Sequence, residues 1–101
     1  LILKRDMKQA VWNRVRRQKK QQFSEAGIEW CQMCGRHDYL SFAHRVKRRE
    51  ITDERELGIV ALLCMSNADQ EGCHDKLEYG PKDVMYQTVT KFYEQIESPN
   101  Y

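Results

Sequence analysis

Four cysteines, Cys31, Cys34, Cys64 and Cys73, are the side chains of this 101-residue sequence best suited to hold a metal. The first two stand in Trp30-Cys31-Gln32-Met33-Cys34-Gly35, where two intervening residues let a tight turn aim both sulfurs at one ion. Gly35 allows the backbone N–H groups of that turn to swing toward the sulfurs. Eight residues separate Cys64 from Cys73, so a loop must bulge out between them if all four thiols are to converge. Zn²⁺ takes four thiolates tetrahedrally, as a closed structural site. The alternatives are a redox-active pair at 31 and 34 and a Cys64 that only packs; His37 and His74 are substitute ligands.

Directly after Cys73, His74 and Glu78 are four residues apart. On a helix beginning at Cys73 they project from one face and can hold a second ion between them. His44 closes an aromatic and β-branched segment, Tyr39–Val46, that reads as a strand. Alternation places Leu40, Phe42 and His44 on one face and Ser41, Ala43 and Arg45 on the other. A histidine among apolar neighbours is either a hydrogen-bonded core residue or a working one. Four cations follow close behind: Arg45, Lys47, Arg48 and Arg49.

The elements that must position these residues are few. Residues 5–23 read as a helix, because Met7, Val11 and Val15 recur every four residues beside Ala10 and Trp12, and Gly27 marks its end. Residues 1–24 carry eight Lys and Arg against one Asp, net +7, whereas residues 51–101 carry four basic against ten acidic groups, net −6. That division turns one face toward a polyanion, with Arg14, Arg16, Arg17, Lys19 and Lys20 as phosphate contacts; otherwise those charges merely solvate a helix. Lys47–Gly58 reads as a loop, Ile59–Cys64 as a second strand pairing with the first, and 73–79 as a short helix stopping at Gly80. Pro81 suits the first turn of a last helix, in which Val84, Met85, Val89, Phe92, Tyr93 and Ile96 keep helical spacing for core packing. Trp12, Tyr39 and Phe42 read as core.

The sequence is expected to form one α+β domain: a basic helical arm over 1–27, a zinc-stapled core over 28–80 and a C-terminal helix over 81–101. A chain of this length buries only ~65% of the surface its unfolded form exposes, so a metal staple is expected. No apolar run approaches the ~20 residues of a membrane span. Without a signal region the expected compartment is reducing and cytoplasmic, where a Cys-x-x-Cys pair binds metal more often than it forms disulfides.

The order Cys-x-x-Cys, strand ending in His44, loop, apolar strand, Cys64, then Cys73-His74 opening a helix resembles the HNH nuclease family in its zinc-bearing ββα-metal form. The resemblance covers roughly residues 30–80. It implies two antiparallel strands and a helix around a catalytic divalent ion, and hydrolysis of DNA phosphodiesters. By the same resemblance His44 is the general base, His74 a ligand of the catalytic ion, and Glu78 stands for the motif's final His or Asn. Ala43 occupies the place of a metal-ligating Asp or His, and Leu57, Gly58 and Ile59 that of the middle Asn that orients the base; Asp38, Asn67 and Asp69 are loop residues that could compensate. A neutral imidazole with a pKa near ~6.5 can take a proton from water. A divalent ion at His74 and Glu78, Mg²⁺ or Mn²⁺ by donor type, can neutralise phosphate oxygens. Arg45, Lys47, Arg48 and Arg49 would grip flanking phosphates.

The expected function is therefore a metal-dependent DNA endonuclease with one structural Zn²⁺, leaving 5′-phosphate and 3′-hydroxyl. Alternatives are a catalytically inactive zinc-bound DNA-binding module on the same scaffold, and a zinc domain whose acidic C-terminal helix docks a protein. The basic arm is compatible with a homodimer or with accessory subunits.

Overall fold

A computed structural model describes residues 5–97. Its elements run α1 (Arg5–Glu25), β1 (Leu40–His44), α2 (Glu54–Leu57), β2 (Val60–Cys64), α3 (Cys73–Glu78) and α4 (Lys82–Glu97), with a 3₁₀ turn over Arg48–Glu50. β1 and β2 pair antiparallel, in a register that sets Leu40 opposite Cys64, Phe42 opposite Leu62 and His44 opposite Val60. The result is a small α+β fold.

Two strands alone cannot hold themselves together in water, and here both faces of the pair are covered. On one face Trp12, Val15 and Phe23 of α1 pack with Val60, Leu62, Ile51 and Leu57. On the other, Leu77 of α3 and Met85 and Val89 of α4 pack with Ala43, Ala61 and Leu63. All five residues of β2 are buried, which is why it reads as an unbroken apolar run. α1 stops where the N–H of Ile28 reaches the carbonyl of Phe23 at 2.9 Å, with Gly27 at φ +79° between them.

Three expectations are corrected. The segment 47–58 is not all loop: Ile51 (1% exposed) and Leu57 (0%) are anchored in the core and wind the intervening chain into α2, whose first turn Asp53 caps by accepting from the N–H of Arg55 at 2.8 Å. Four helical residues carry no periodicity from which to read them. Tyr39 is not core; at φ +54° the chain turns its ring outward, 53% exposed, under the Arg36 guanidinium. Val84 is exposed and Phe92 half-buried, while Met85, Val89, Tyr93 and Ile96 form the buried stripe of α4.

Candidate functional site

The four cysteine sulfurs lie within 4.8 Å of one another, with Cys31, Cys64 and Cys73 buried and Cys34 exposed. Cys34 and Cys64 are 3.7 Å apart. Sulfurs tetrahedral about an ion at ~2.3 Å would stand about 3.75 Å apart, so this edge already has the dimension that zinc requires. The first pair sits in a knuckle closed by the N–H of Gly35 to the carbonyl of Cys31 at 2.8 Å, with Gly35 at φ +83°. Burial works against ionisation of Cys31, yet N–H groups directed at its sulfur bring it down to about 7. Burial pushes the thiols of Cys64 and Cys73 up, a cost that a bound cation would offset.

The eight-residue separation of Cys64 and Cys73 is resolved by the path of the loop. Asn67 accepts from the N–H groups of Asp69 and Gln70 at 2.8 and 2.9 Å, folding the bulge on itself. The chain then returns so closely that a Cβ on Gly72 would lie 2.2 Å from the carbonyl carbon of Met65 and 2.5 Å from the oxygen of Cys64. Only glycine fits, and the close return lets the Cys73 N–H point at the Cys64 sulfur at 3.4 Å. His37 and His74 are not needed as substitutes, and His74 turns to a different neighbour.

That neighbour is Ser41, on the same face of β1 as Ala43. Its hydroxyl donates to the Leu63 carbonyl at 3.3 Å, leaving its oxygen to accept from Nδ1–H of His74 at 2.6 Å. Nε2 of His74 is then unprotonated and faces Oε2 of Glu78 at 3.8 Å, across one turn of α3. An imidazole lone pair and a carboxylate so placed can share a divalent ion, and Ser41 fixes the tautomer this requires. Ser41 is the site residue that sequence reasoning passed over. Its signal was strand alternation, which put it on the α3 side of the sheet.

His44 stands on β1 against Trp12, ring centroids 4.6 Å apart, and its Nε2 lies 3.1 Å from the carbonyl of Leu57. A carbonyl can only accept, so Nε2 carries the proton and Nδ1 keeps its lone pair. Burial pushes the ring down to about 4; the bond to Leu57 opposes this and Arg48 adds to it. His44, His74 and Glu78 line one cleft of about 230 Å³ together with Trp12, Lys47 and Arg48.

The depressed ring of His44 makes stability pH-dependent. The unfolded histidine binds a proton below about 6.5 and the folded one only near 4, so this contribution is complete above pH 6.5 and is lost as pH falls toward 4. It amounts to about 3 kcal/mol. Urea unfolding at pH 7 and pH 5 should show a fall in stability that His44→Gln lacks; equal falls in both proteins would refute the assignment.

Several cations expected at phosphate are engaged elsewhere. Arg45 is one: its guanidinium is bidentate on Glu56 at 2.6 and 2.8 Å, bonds Thr90 Oγ1 at 3.2 Å and lies over the Tyr86 ring. It faces away from His44, as strand alternation dictates, and ties α2 to α4. Lys19 is another: its ammonium is half-buried, reaches Tyr93 Oη at 2.5 Å, and is shifted down by burial. Arg14 pairs with Glu54 on the surface, which weakens its call on phosphate. Lys47 and Arg48 stand at the cleft, and Arg49 is exposed beside them. Arg16, Arg17 and Lys20 are exposed on α1 with no side-chain partner among the described residues. Of the loop residues expected to compensate, Asp38 pairs with Arg36, Asn67 caps its own turn and Asp69 lies exposed on the bulge. Ala43 is 2% exposed in the core. Among the described residues the four cysteines are the only group of three or more ligating side chains close enough to share an ion, so an ion at His74 and Glu78 would have two protein ligands.

The Arg45–Glu56 pair also holds the carbonyl that orients His44, because Glu56 and Leu57 are consecutive in α2. Glu56→Gln leaves Arg45 without its counter-charge in a half-buried place and should lower stability by roughly 1–3 kcal/mol. Histidine ¹⁵N shifts should show His44 changing from one tautomer to a mixture; a stability loss with the tautomer unchanged would contradict the link.

Fold and site together define a small α+β domain carrying a four-thiol centre able to hold a metal ion such as zinc. No helix among the described residues is long and apolar enough to cross a membrane. No family model, curated protein or solved structure matches the chain.

Proposed function

We propose that this domain is an HNH-like, metal-dependent DNA endonuclease with a ββα-metal core stapled by Zn²⁺. The observation that carries the reading is the convergence of His44, His74 and Glu78 on one cleft, from elements thirty residues apart in sequence, with Lys47 and Arg48 beside them. His44 presents an unprotonated Nδ1 while Nε2–H is held by Leu57, so the ring is oriented to take a proton from water. A bound phosphodiester, being anionic, raises the basicity of a ring that burial has depressed. Lys47 and Arg48 offer the charge that would seat that phosphate. Nε2 of His74 and the carboxylate of Glu78 would hold Mg²⁺ or Mn²⁺; such an ion, when bound, neutralises charge developing on the phosphate and the leaving oxygen. With two protein ligands the remaining positions fall to water and substrate, the usual state of Mg²⁺.

Supercoiled plasmid incubated with the zinc-loaded protein should be nicked in Mg²⁺ or Mn²⁺ and left intact when neither is added. Absence of cleavage in every divalent metal would favour the second reading, a zinc-bound DNA-binding module, to which Ala43 lends specific support because methyl stands where a ligand is expected.

A further inference from the structure

A groove of about 950 Å³ runs beneath α1, floored by Phe23, Leu40, Phe42 and Leu62 and opening at Met65, which is 42% exposed. Arg16, Arg17 and Lys20 line its rim. Trp12 and Phe42 line both this groove and the His44 cleft, so the two adjoin across these side chains. Charge along the groove is graded. Arg16 and Arg17 lie toward the Trp12 end and Lys20 midway, none with a side-chain partner among the described residues, whereas Glu25 and Glu29 line it near the C-terminal end of α1.

We infer that this groove receives an unpaired stretch of DNA strand next to the phosphate held in the cleft, an inference that deepens the nuclease reading and rests on it for the cleft's role. Arg16 and Lys20 are four residues apart, ~6 Å along the helix, and span with Trp12 ~12 Å of a single track. A polyanion following that track is attracted at its start and repelled by Glu25 and Glu29 at its end, so only a short segment is accommodated. The floor decides between duplex and single strand. It is apolar and recessed, and a duplex offers a recess only phosphates, sugars and polar base edges, its base faces being hidden in the stack. An unstacked base has an apolar face to lay on Phe42 and Leu40 while its phosphates meet Arg16, Arg17 and Lys20. The substrate class is therefore DNA with an unpaired segment adjoining the cut.

The test is fluorescence anisotropy on the zinc-loaded protein with no Mg²⁺ or Mn²⁺ added, comparing a DNA hairpin bearing a single-stranded tail with the same hairpin blunt-ended. The tailed hairpin should bind about tenfold more tightly, the scale of one base stacked on a protein platform. Met65→Glu, which sets a carboxylate at the groove mouth, should abolish that preference. Arg16→Ala with Lys20→Ala should weaken the tailed hairpin and lower the slope of its salt dependence by roughly two phosphate contacts. Equal affinity for both hairpins would overturn the inference, as would a tail preference that survives Met65→Glu in a protein whose thermal melt is unchanged. Tighter binding of an acidic amphipathic peptide than of the tailed hairpin would reassign the groove to a protein partner. Failure of the nuclease reading would be seen separately, as absent cleavage with the tail preference intact.

Discussion

Replacing His44 with Ala is expected to slow plasmid nicking by ~10²–10⁴-fold, the usual contribution of a positioned general base. The expectation follows from where the proton sits. The Leu57 carbonyl can only accept, which forces Nε2 to carry hydrogen and leaves Nδ1 as the sole imidazole acceptor. No second histidine can substitute, because Nδ1 of His74 is occupied by Ser41 and its Nε2 faces Glu78. The dependence of kcat/KM on pH should be flat between pH 6 and 8, since the ring of the free protein, at about 4, is already neutral there. Folding must be checked by thermal melt, because Ala leaves the Leu57 carbonyl without its donor beside Trp12. His44→Gln supplies a side chain of similar reach that can donate to Leu57 but is no base. Both variants should be folded and slow. Wild-type rates in either, with wild-type melting, would remove His44 from the mechanism.

Stripping the metal that the four cysteines can hold should unfold the domain. Structural zinc in small domains contributes an apparent ~10–16 kcal/mol at neutral pH, more than the ~5–15 kcal/mol by which native proteins exceed their unfolded states. The four thiols come from the knuckle ahead of β1, from the end of β2 and from the start of α3, so a bound ion would tie the entry of β1 and the exit of β2 to the helix that carries His74 and Glu78. Metal analysis should find about one zinc per chain, and a strong chelator should abolish the far-ultraviolet helical signal. Cys64→Ser should behave as the stripped protein does. Gly72→Ala should lose zinc without touching a ligand, because its Cβ would occupy the carbonyl of Met65. A fully folded, zinc-free chain would contradict the staple and leave the apolar clusters on the two sheet faces as sufficient.

Much of this arrangement was legible from the residues because it rests on local periodicity. Strand alternation separated Leu40 and Phe42 from Ser41 and Ala43, which the fold turns toward α1 and α3 respectively, and helical spacing picked out Met85, Val89, Tyr93 and Ile96 together with Val84 and Phe92, which lie outside the buried stripe. The basic character of α1 was likewise plain, though which of its cations are free was not. Lys19 and Arg14 look like their neighbours in sequence, yet one packs under Tyr93 and the other meets Glu54 from a segment forty residues away. Arg45 belongs to the same basic run as Lys47 and Arg48 and turns to the opposite side, held there by Glu56 and Thr90 while the chain bends past the end of β1 to bring the other two to the cleft.

The sequence by itself determined that four thiols could converge, that His74 and Glu78 share a helix face, and that a basic helix precedes the core, because spacing and charge are properties of the chain before it folds. Only the tertiary structure decided how Gly72 closes the Cys64–Cys73 bulge, that Ser41 and the Leu57 carbonyl fix the two histidine tautomers, and that a groove under α1 adjoins the His44 cleft across Trp12 and Phe42. Those features depend on contacts between residues far apart in sequence, and a hydrogen bond or a close backbone approach across such a distance leaves no periodic trace to be read beforehand.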